Sequence, residues 1–259
     1  MNKELLEQYL KEGKSTRKIA ELMGVHHNTV SYWIKKYNLN DKSKFKKTDN
    51  YKFGKIDSKE KAYLLGFILA DSYISDNNSV EISVSMQDKE VVEYLSRILN
   101  SNVSYDNIMD KKAKRFPRAR TVKKIEDITK FIGGKRKEER HFPIVNKKYA
   151  KYLLQGLFDA DGCITWGVRK DKKRLWHKIS ITSQLNILIG VQNFLNKTLG
   201  ISTVVRPKGS EKCFIIEFAN KEDIIKFLNY IYGDDYIVLK RKYFKSNALR
   251  LELGEFGES

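Results

Sequence analysis

The chain has 259 residues, 41% hydrophobic and 32% charged, a composition that excludes collagen-like, mucin-like and wholly disordered polymers. Fifty Lys and Arg against 32 Asp and Glu leave a formal charge of +18, which calls for a polyanionic partner, nucleic acid ahead of a membrane surface. Only Cys163 and Cys213 occur, no secretory segment precedes them, and no apolar run reaches the ~20 residues of a membrane span, so the expected setting is intracellular: cytoplasm or nucleoid of a microbial or phage-infected host, or an organelle.

Residues 3–12 (KELLEQYLKE) put Leu5, Leu6, Tyr9 and Leu10 on one helical face, and Gly13 ends that helix. Ser15 and Thr16 can cap a second helix, RKIAELM, with Ile19, Ala20 and Met23 inward and Leu22 at the border. Gly24 turns the chain, Val25 can plug the corner, and Asn28 or Thr29 opens a third helix to about Tyr37, with Val30, Trp33, Ile34 and Tyr37 inward. The Ala20, Gly24, Val30 spacing is that of a helix-turn-helix. Its third helix offers His26, His27, Asn28, Ser31, Tyr32 and Lys35 to a major groove. A bare three-helix core is the alternative, and a metal site at His26 and His27 lacks further ligands. Residues 1–41 are read as this domain and 42–57, polar and lysine-rich, as a basic linker.

The remainder repeats. Residues 64–72 (LLGFILADS) and 154–162 (LQGLFDADG) align without a gap at an offset of ninety. Each lies in an apolar helical stretch, and each is followed by strand-like residues (79–87, 177–184) and then a helical segment (89–100, 185–200). Gly66 and Gly156, with Ala70 and Ala160, leave one face of each helix bare, so the two helices can cross closely about a pseudo-twofold axis. Asp71 and Asp161 then meet near that axis. Two carboxylates so close repel unless a cation bridges them, and Mg²⁺ suits an all-oxygen site. A pseudo-symmetric acid pair also matches the two strands of a duplex, with one acid serving each scissile phosphate.

The two motif copies resemble the two-motif LAGLIDADG homing endonucleases, over about residues 58–250. The resemblance implies an α+β fold of tandem pseudo-twofold αββαββα halves, 58–145 and 146–250, forming a DNA-binding saddle behind the small all-α helix-turn-helix domain, with 251–259 as a tail. It implies a monomeric, site-specific endonuclease, with no obligate protein partner. This enzyme would cut both strands of double-stranded DNA across the minor groove and leave short 3′ overhangs, at a bent site on the order of 20 base pairs. It further implies Mg²⁺, with Mn²⁺ or Ca²⁺ as alternative occupants, and two or three ions shared by Asp71 and Asp161 as metal ligands. Gln87 and Gln184 would order water near the metals. Lys137 (Lys135 beside it) and Lys240 (Lys242 as near alternative) would act at the scissile phosphates. Asp159 falls on the family's inner acid position, which caps or packs, where the first copy has Leu69. The first copy also departs from the family in carrying Ser72 where Gly is usual.

Residues 111–140 hold thirteen Lys or Arg against four acids. From this stretch Lys114, Arg115, Arg118 and Arg120 are expected at the DNA. The loop 169–178 adds Arg169, Lys170, Lys172, Lys173 and Arg174, and Arg206 and Lys242 complete the set. Two other functions fit the same chain: a LAGLIDADG-type protein that has lost catalysis and regulates transcription, or an RNA-binding intron maturase. A zinc-assisted His nuclease finds little support in four scattered histidines, at 26, 27, 141 and 177.

Overall fold

In the computed structural model, residues 1–12, 14, 16–39, 50–109, 115–168, 175–233, 237 and 239–254 are described. They fall into two compact units, Met1–Asp49 and Asn50–Ser259.

The first unit holds α1 (Lys3–Lys11), α2 (Thr16–Leu22) and α3 (His27–Lys36). The Asn2 side chain caps α1 by accepting the Leu5 N–H at 3.2 Å. Leu6, Leu10, Ile19, Ala20, Val30 and Ile34 form the core, with Tyr9, Met23, Trp33 and Tyr37 packed around it. Gly24 makes the turn at φ +62°, and the Val25 N–H returns to the Ala20 carbonyl at 3.0 Å. Val25 itself is 37% exposed, so the corner is closed by that backbone bond rather than by an apolar plug. The third helix opens one residue before the expected Asn28. His26 is its cap, its Nδ1 accepting the Asn28 N–H at 3.3 Å.

The second unit contains the repeat. In its first half α4 (Lys59–Ala70) leads into β1 (Tyr73–Ile74) and β2 (Ser79–Ser85). A 3₁₀ turn (Met86–Asp88), α5 (Lys89–Leu99), β3 (Val103–Met109), β4 (Arg115–Lys124) and α6 (Ile128–Ile132) follow. In the second half α7 (Lys147–Asp161) leads into β5 (Gly162–Val168), β6 (Leu175–Ser183), α8 (Leu185–Leu199), β7 (Val205–Lys208), β8 (Ser210–Phe218), α9 (Lys221–Tyr232) and α10 (Lys240–Glu252). Both sheets are antiparallel and share one strand order, β1-β2-β4-β3 and β5-β6-β8-β7. In β2, Val80, Ile82 and Val84 turn into the core, and Glu81, Ser83 and Ser85 stand on the other face. The second strand of each half stops at Ser85 or Ser183, short of the expected glutamines. Gln87 lies in the 3₁₀ turn, and Gln184 sits at the N-cap of α8 without a capping bond.

Helices α4 and α7 form the spine. Ala62 through Ala70 are all buried, as are Tyr152 through Asp159, because each helix is sandwiched between its partner and the flanking elements. This spine sets the geometry at its C-terminal end.

Candidate active site at the helix-pair axis

The two glycines place the helices in backbone contact. A Cβ on Gly66 would fall 2.9 Å from Leu157 N, 3.0 Å from Leu153 C and closer still to Leu153 O. A Cβ on Gly156 would meet Tyr63 O, Phe67 N and Tyr63 C in the same way. Leu153 and Leu157 stand ninety residues beyond Tyr63 and Phe67, so the contact is reciprocal and the pseudo-twofold axis passes through it.

The motif acids end these helices. Asp71 follows α4 at φ −126°, its N–H donating to the Phe67 carbonyl at 2.9 Å, and its side chain is exposed. Asp161 is the last residue of α7 and is half-buried. Burial pushes the Asp161 carboxyl up to about 6. Lys137 pulls it back, the negative charge of Asp71 raises it further, and a Ser183 hydroxyl bond and Lys242 lower it. The two acids thus feel each other across the axis, and each pays the cost of negative charge at a helix C-terminus.

Asp71 lines a cavity of about 530 Å³ with Ser83, Arg118, Lys135, Lys137 and Glu138. It also lines one of about 140 Å³ with Asp88, Arg118, Ala160 and Arg241. Lys137, in a 3₁₀ turn (Lys137–Glu139), is exposed and beside the carboxylates. Lys240 opens α10, exposed, and lines neither cavity; its backbone N–H donates to Glu90 Oε1 at 3.1 Å. The adjacent Arg241 grips Asp88 with two bonds of 3.0 and 2.8 Å, which joins α10 to the first half. Gln87 is exposed and Gln184 half-buried. Among the described residues, no group of three or more His, Cys, Asp and Glu is placed to hold a metal.

Asp159 faces the core instead. It is 4% exposed and accepts the Tyr63 hydroxyl at 2.8 Å and the Tyr232 hydroxyl. Burial raises its carboxyl to about 6, against the pull of Lys242, and burial lifts both tyrosines well above their usual range. Asp159 therefore ties α7 to α4 and α9.

Two further cations at the helix ends escaped sequence reasoning in this role. Arg140, 1% exposed, donates to the carbonyls of Ile68 (3.1 Å), Leu69 (3.3 Å), Ser72 (3.2 Å) and Lys135 (2.9 Å), and to Ser72 Oγ (3.4 Å). Lys242, expected on the DNA surface, is 6% exposed, and its Nζ donates to the carbonyls of Phe158 (2.6 Å) and Asp159 (2.7 Å). That burial removes it from phosphate contact. Ser72 fits this environment: its hydroxyl donates to Ile68 O at 2.7 Å. At Gly162, the equivalent position, a Cβ would collide with the Phe158 ring, where the first copy has Ile68.

The expected DNA contacts divide by location. His27, Asn28, Ser31, Tyr32 and Lys35 are all exposed on α3. Arg118 and Arg120 pair with Ser85 and Ser83 across β2 and β4, on the face away from the helices, and Arg120 leans on Glu81 at 3.7 Å. Arg206 is exposed on β7, opposite Ile215. Lys114, Arg169, Lys170, Lys172, Lys173 and Arg174 lie outside the described residues, as do linker residues 42–49, and of Arg115 only the backbone, at the start of β4, is described.

Residues 148–232 match the LAGLIDADG-like domain family, and residues 4–42 match the homeodomain-like domain family. No curated protein matches the sequence. Among solved structures, the fold resembles that of the homing endonuclease I-WcaI bound to its DNA recognition sequence, with a TM-score of 0.56 and 16% identity over 79% of this chain and 93% of that one. It also resembles the I-SmaMI LAGLIDADG homing endonuclease bound to cleaved DNA (0.51, 12%, 75% and 89%) and the I-LtrWI LAGLIDADG homing endonuclease bound to target DNA (0.51, 10%, 77% and 91%). At such identities the likeness is one of fold. Residues 148–232 thus match a LAGLIDADG-like domain and residues 4–42 a homeodomain-like one, and the fold is like that of solved LAGLIDADG homing endonucleases.

Proposed function

We propose that this protein is a site-specific, divalent-metal-dependent endonuclease of double-stranded DNA. The reading is carried by a helix pair in backbone contact at Gly66 and Gly156 that ends, one from each half, in Asp71 and Asp161, where the Asp71 charge raises the Asp161 carboxyl. The solved structures of like fold, two of them holding target or recognition DNA and one cleaved DNA, support the substrate class.

The donor set fits Mg²⁺. Asp161 loses charge readily under burial and the field of Asp71, so the pair calls for a compensating cation. Two carboxylates suffice, because Mg²⁺ keeps several waters and takes substrate phosphate oxygens rather than an all-protein cage. Asp71 and Asp161 would hold the metal, with Mn²⁺ or Ca²⁺ as substitutes. When bound, the metal would lower the pKa of a water and offset charge building on the phosphate. Lys137 neutralises phosphate charge from the first-half side of the cavity, and Lys240 does the same from the start of α10. Gln87 and Gln184 orient water. Each acid serves one strand, so the product has two cuts and, with the minor groove over the spine, short 3′ overhangs.

Arg118, Arg120 and Arg206 read or clamp the duplex from the sheet faces, joined by Lys114, Arg115, Arg169, Lys170, Lys172, Lys173 and Arg174. The exposed face of α3, with His27, Asn28, Ser31, Tyr32 and Lys35, contacts a further stretch of DNA. The join is shorter than the expected linker 42–57, because Tyr51 bridges to Ile125 and Phe53, 1% exposed, donates its N–H to Asp127 Oδ1 at 2.9 Å, so both belong to the second unit. The whole site is on the order of 20 base pairs, and one chain, built from halves 58–145 and 146–250, covers it without a protein partner. The test is selection from a randomised duplex library with Mg²⁺, followed by mapping of both ends. Paired cuts offset by a few nucleotides are expected from one chain per duplex. Tight binding to a selected duplex with no cut would replace this reading with a regulator or a maturase.

A further inference from the structure

We infer that Arg140 and Lys242 are positioning residues, each fixing the motif acid of its own half, so that each governs the cutting of one DNA strand. The inference rests on the nuclease reading above. It goes beyond that reading because neither residue reaches substrate.

Arg140 donates to Ile68 O and Leu69 O, and Lys242 donates to Phe158 O and Asp159 O. Those carbonyls are related by the ninety-residue offset of the motif copies. The cations come from unrelated local sequence, a loop after the 3₁₀ turn 137–139 and the first turn of α10. Two chemically different cations therefore satisfy the same two carbonyls in each half. Ile68 O and Phe158 O also accept the Ser72 hydroxyl and the Gly162 N–H, while a buried carbonyl at a helix C-terminus without an intrahelical donor needs a partner, as at Leu69 and Asp159.

The consequence for the acids follows from where these bonds fall. Asp71 and Asp161 lie two residues beyond the second carbonyl of each pair. Arg140 also donates to the Ser72 carbonyl, so it grips the chain on both sides of Asp71. Lys242 grips only the helix side of Asp161, while Gly162 packs on the Phe158 ring. Each cation also sets positive charge where the helix dipole and the acid add negative charge. A planar guanidinium holds several carbonyls in a fixed fork, and an ammonium does not. The first acid is thus fixed by its cation, the second more by packing.

The experiment uses the full chain, a duplex selected by it from a randomised library with a different dye on each strand, and Mg²⁺. Arg140→Gln should slow one strand about tenfold more than the other, the equivalent of one net hydrogen bond, and nicked duplex should accumulate. Lys242→Gln should slow the opposite strand. Arg140→Lys should restore the first strand partly, and Lys242→Arg the second. Lys123, likewise buried, donates to Asn100 O at 3.0 Å and lies five residues along β4 from Arg118, which lines the cavity at Asp71; Lys123→Met is the matched control for plain destabilisation and should show no strand bias. Equal slowing of both strands by folded Arg140 and Lys242 variants overturns the inference. So does a strand bias from Lys123→Met of the same size.

Hydrogen exchange of the full chain without DNA provides the independent arm. Arg140→Gln, or Arg140→Lys if the first variant does not fold, should speed exchange at the Asp71 amide and spare Gly162, whose N–H donates to Phe158 O. Lys242 variants should do the reverse. Unchanged exchange at both amides overturns the inference. If the unmodified protein cuts no duplex while exchange responds as stated, the nuclease reading fails and the positioning role stands.

Discussion

Gly66→Ala sets two forces of opposite sign against each other on one helix. Intrinsic propensity favours Ala over Gly in a helix interior by about 1 kcal/mol. Packing opposes it. The new Cβ would lie 2.9 Å from Leu157 N and 3.0 Å from Leu153 C, against an ordinary contact of 3.4–4 Å, and the obstructing atoms are backbone that cannot rotate away. The Leu153 carbonyl oxygen is nearer still, so the helices must separate by about 1 Å or more, which disturbs the buried faces of both. Overpacking of this kind costs about 1–3 kcal/mol and more against rigid backbone, so the net effect is a loss of about 1–2 kcal/mol. The same separation moves Asp71 relative to Asp161, and a misplacement on the order of 1 Å reduces a reaction rate by about a hundredfold. Urea unfolding measures the first effect and cleavage of the two-dye duplex the second. A variant that is more stable than the parent by about 1 kcal/mol, with unchanged cleavage, would refute the close-contact reasoning.

Gly156→Ala should behave as Gly66→Ala does, because its contacts with Tyr63 and Phe67 mirror the first set. Asp161→Asn bears on pH. The folded carboxyl titrates near 6 against an ordinary 3.8, so the folded state retains a proton that the unfolded state has released between those values. Stability from this group is full below pH 4 and is lost as pH rises through 6, so metal-free Asp161→Asn should melt above the parent at pH 7.5 and level with it at pH 4. Gln155→Leu should stabilise by about 1–3 kcal/mol in urea. Both amide atoms of Gln155 are buried with no hydrogen-bond partner among the described residues, and the equivalent Leu65 is fully buried. Deleting residues 1–49 should weaken DNA binding by roughly ten- to a hundredfold through lost linkage while cleavage persists, as read by a filter-binding titration and a plasmid assay.

Much of the site could be read from the sequence because it is local and doubled. A gap-free ninety-residue repeat sets Gly66 against Gly156, as the backbone contact of α4 and α7 has it, and aligns Asp71 with Asp161. The parts that stayed hidden depend on helical phase and on long loops. Lys240, Arg241 and Lys242 are consecutive, yet on α10 they point about 100° apart: one exposed, one onto Asp88, one buried under Phe158. A sequence does not show which of three adjacent cations turns inward when its helix boundary is uncertain by a residue. Arg140 sits in the charge run KRKEER, some seventy residues from the carbonyls it satisfies, and a run of that kind reads as a solvated face. Ser72 was the available signal, since a hydroxyl where the family places Gly calls for a partner. His26 reads from sequence as a groove contact, because its capping bond to Asn28 depends on where α3 begins.

On this reading one divalent-cation centre spans the ends of α4 and α7. Anomalous diffraction from crystals of the full chain with its selected duplex and Mn²⁺ tests it most directly. Anomalous density is expected between the Asp71 and Asp161 carboxylates, against the backbone phosphates of both strands. Density at other acids alone, or the two carboxylates turned apart with the duplex remote from both, would contradict it.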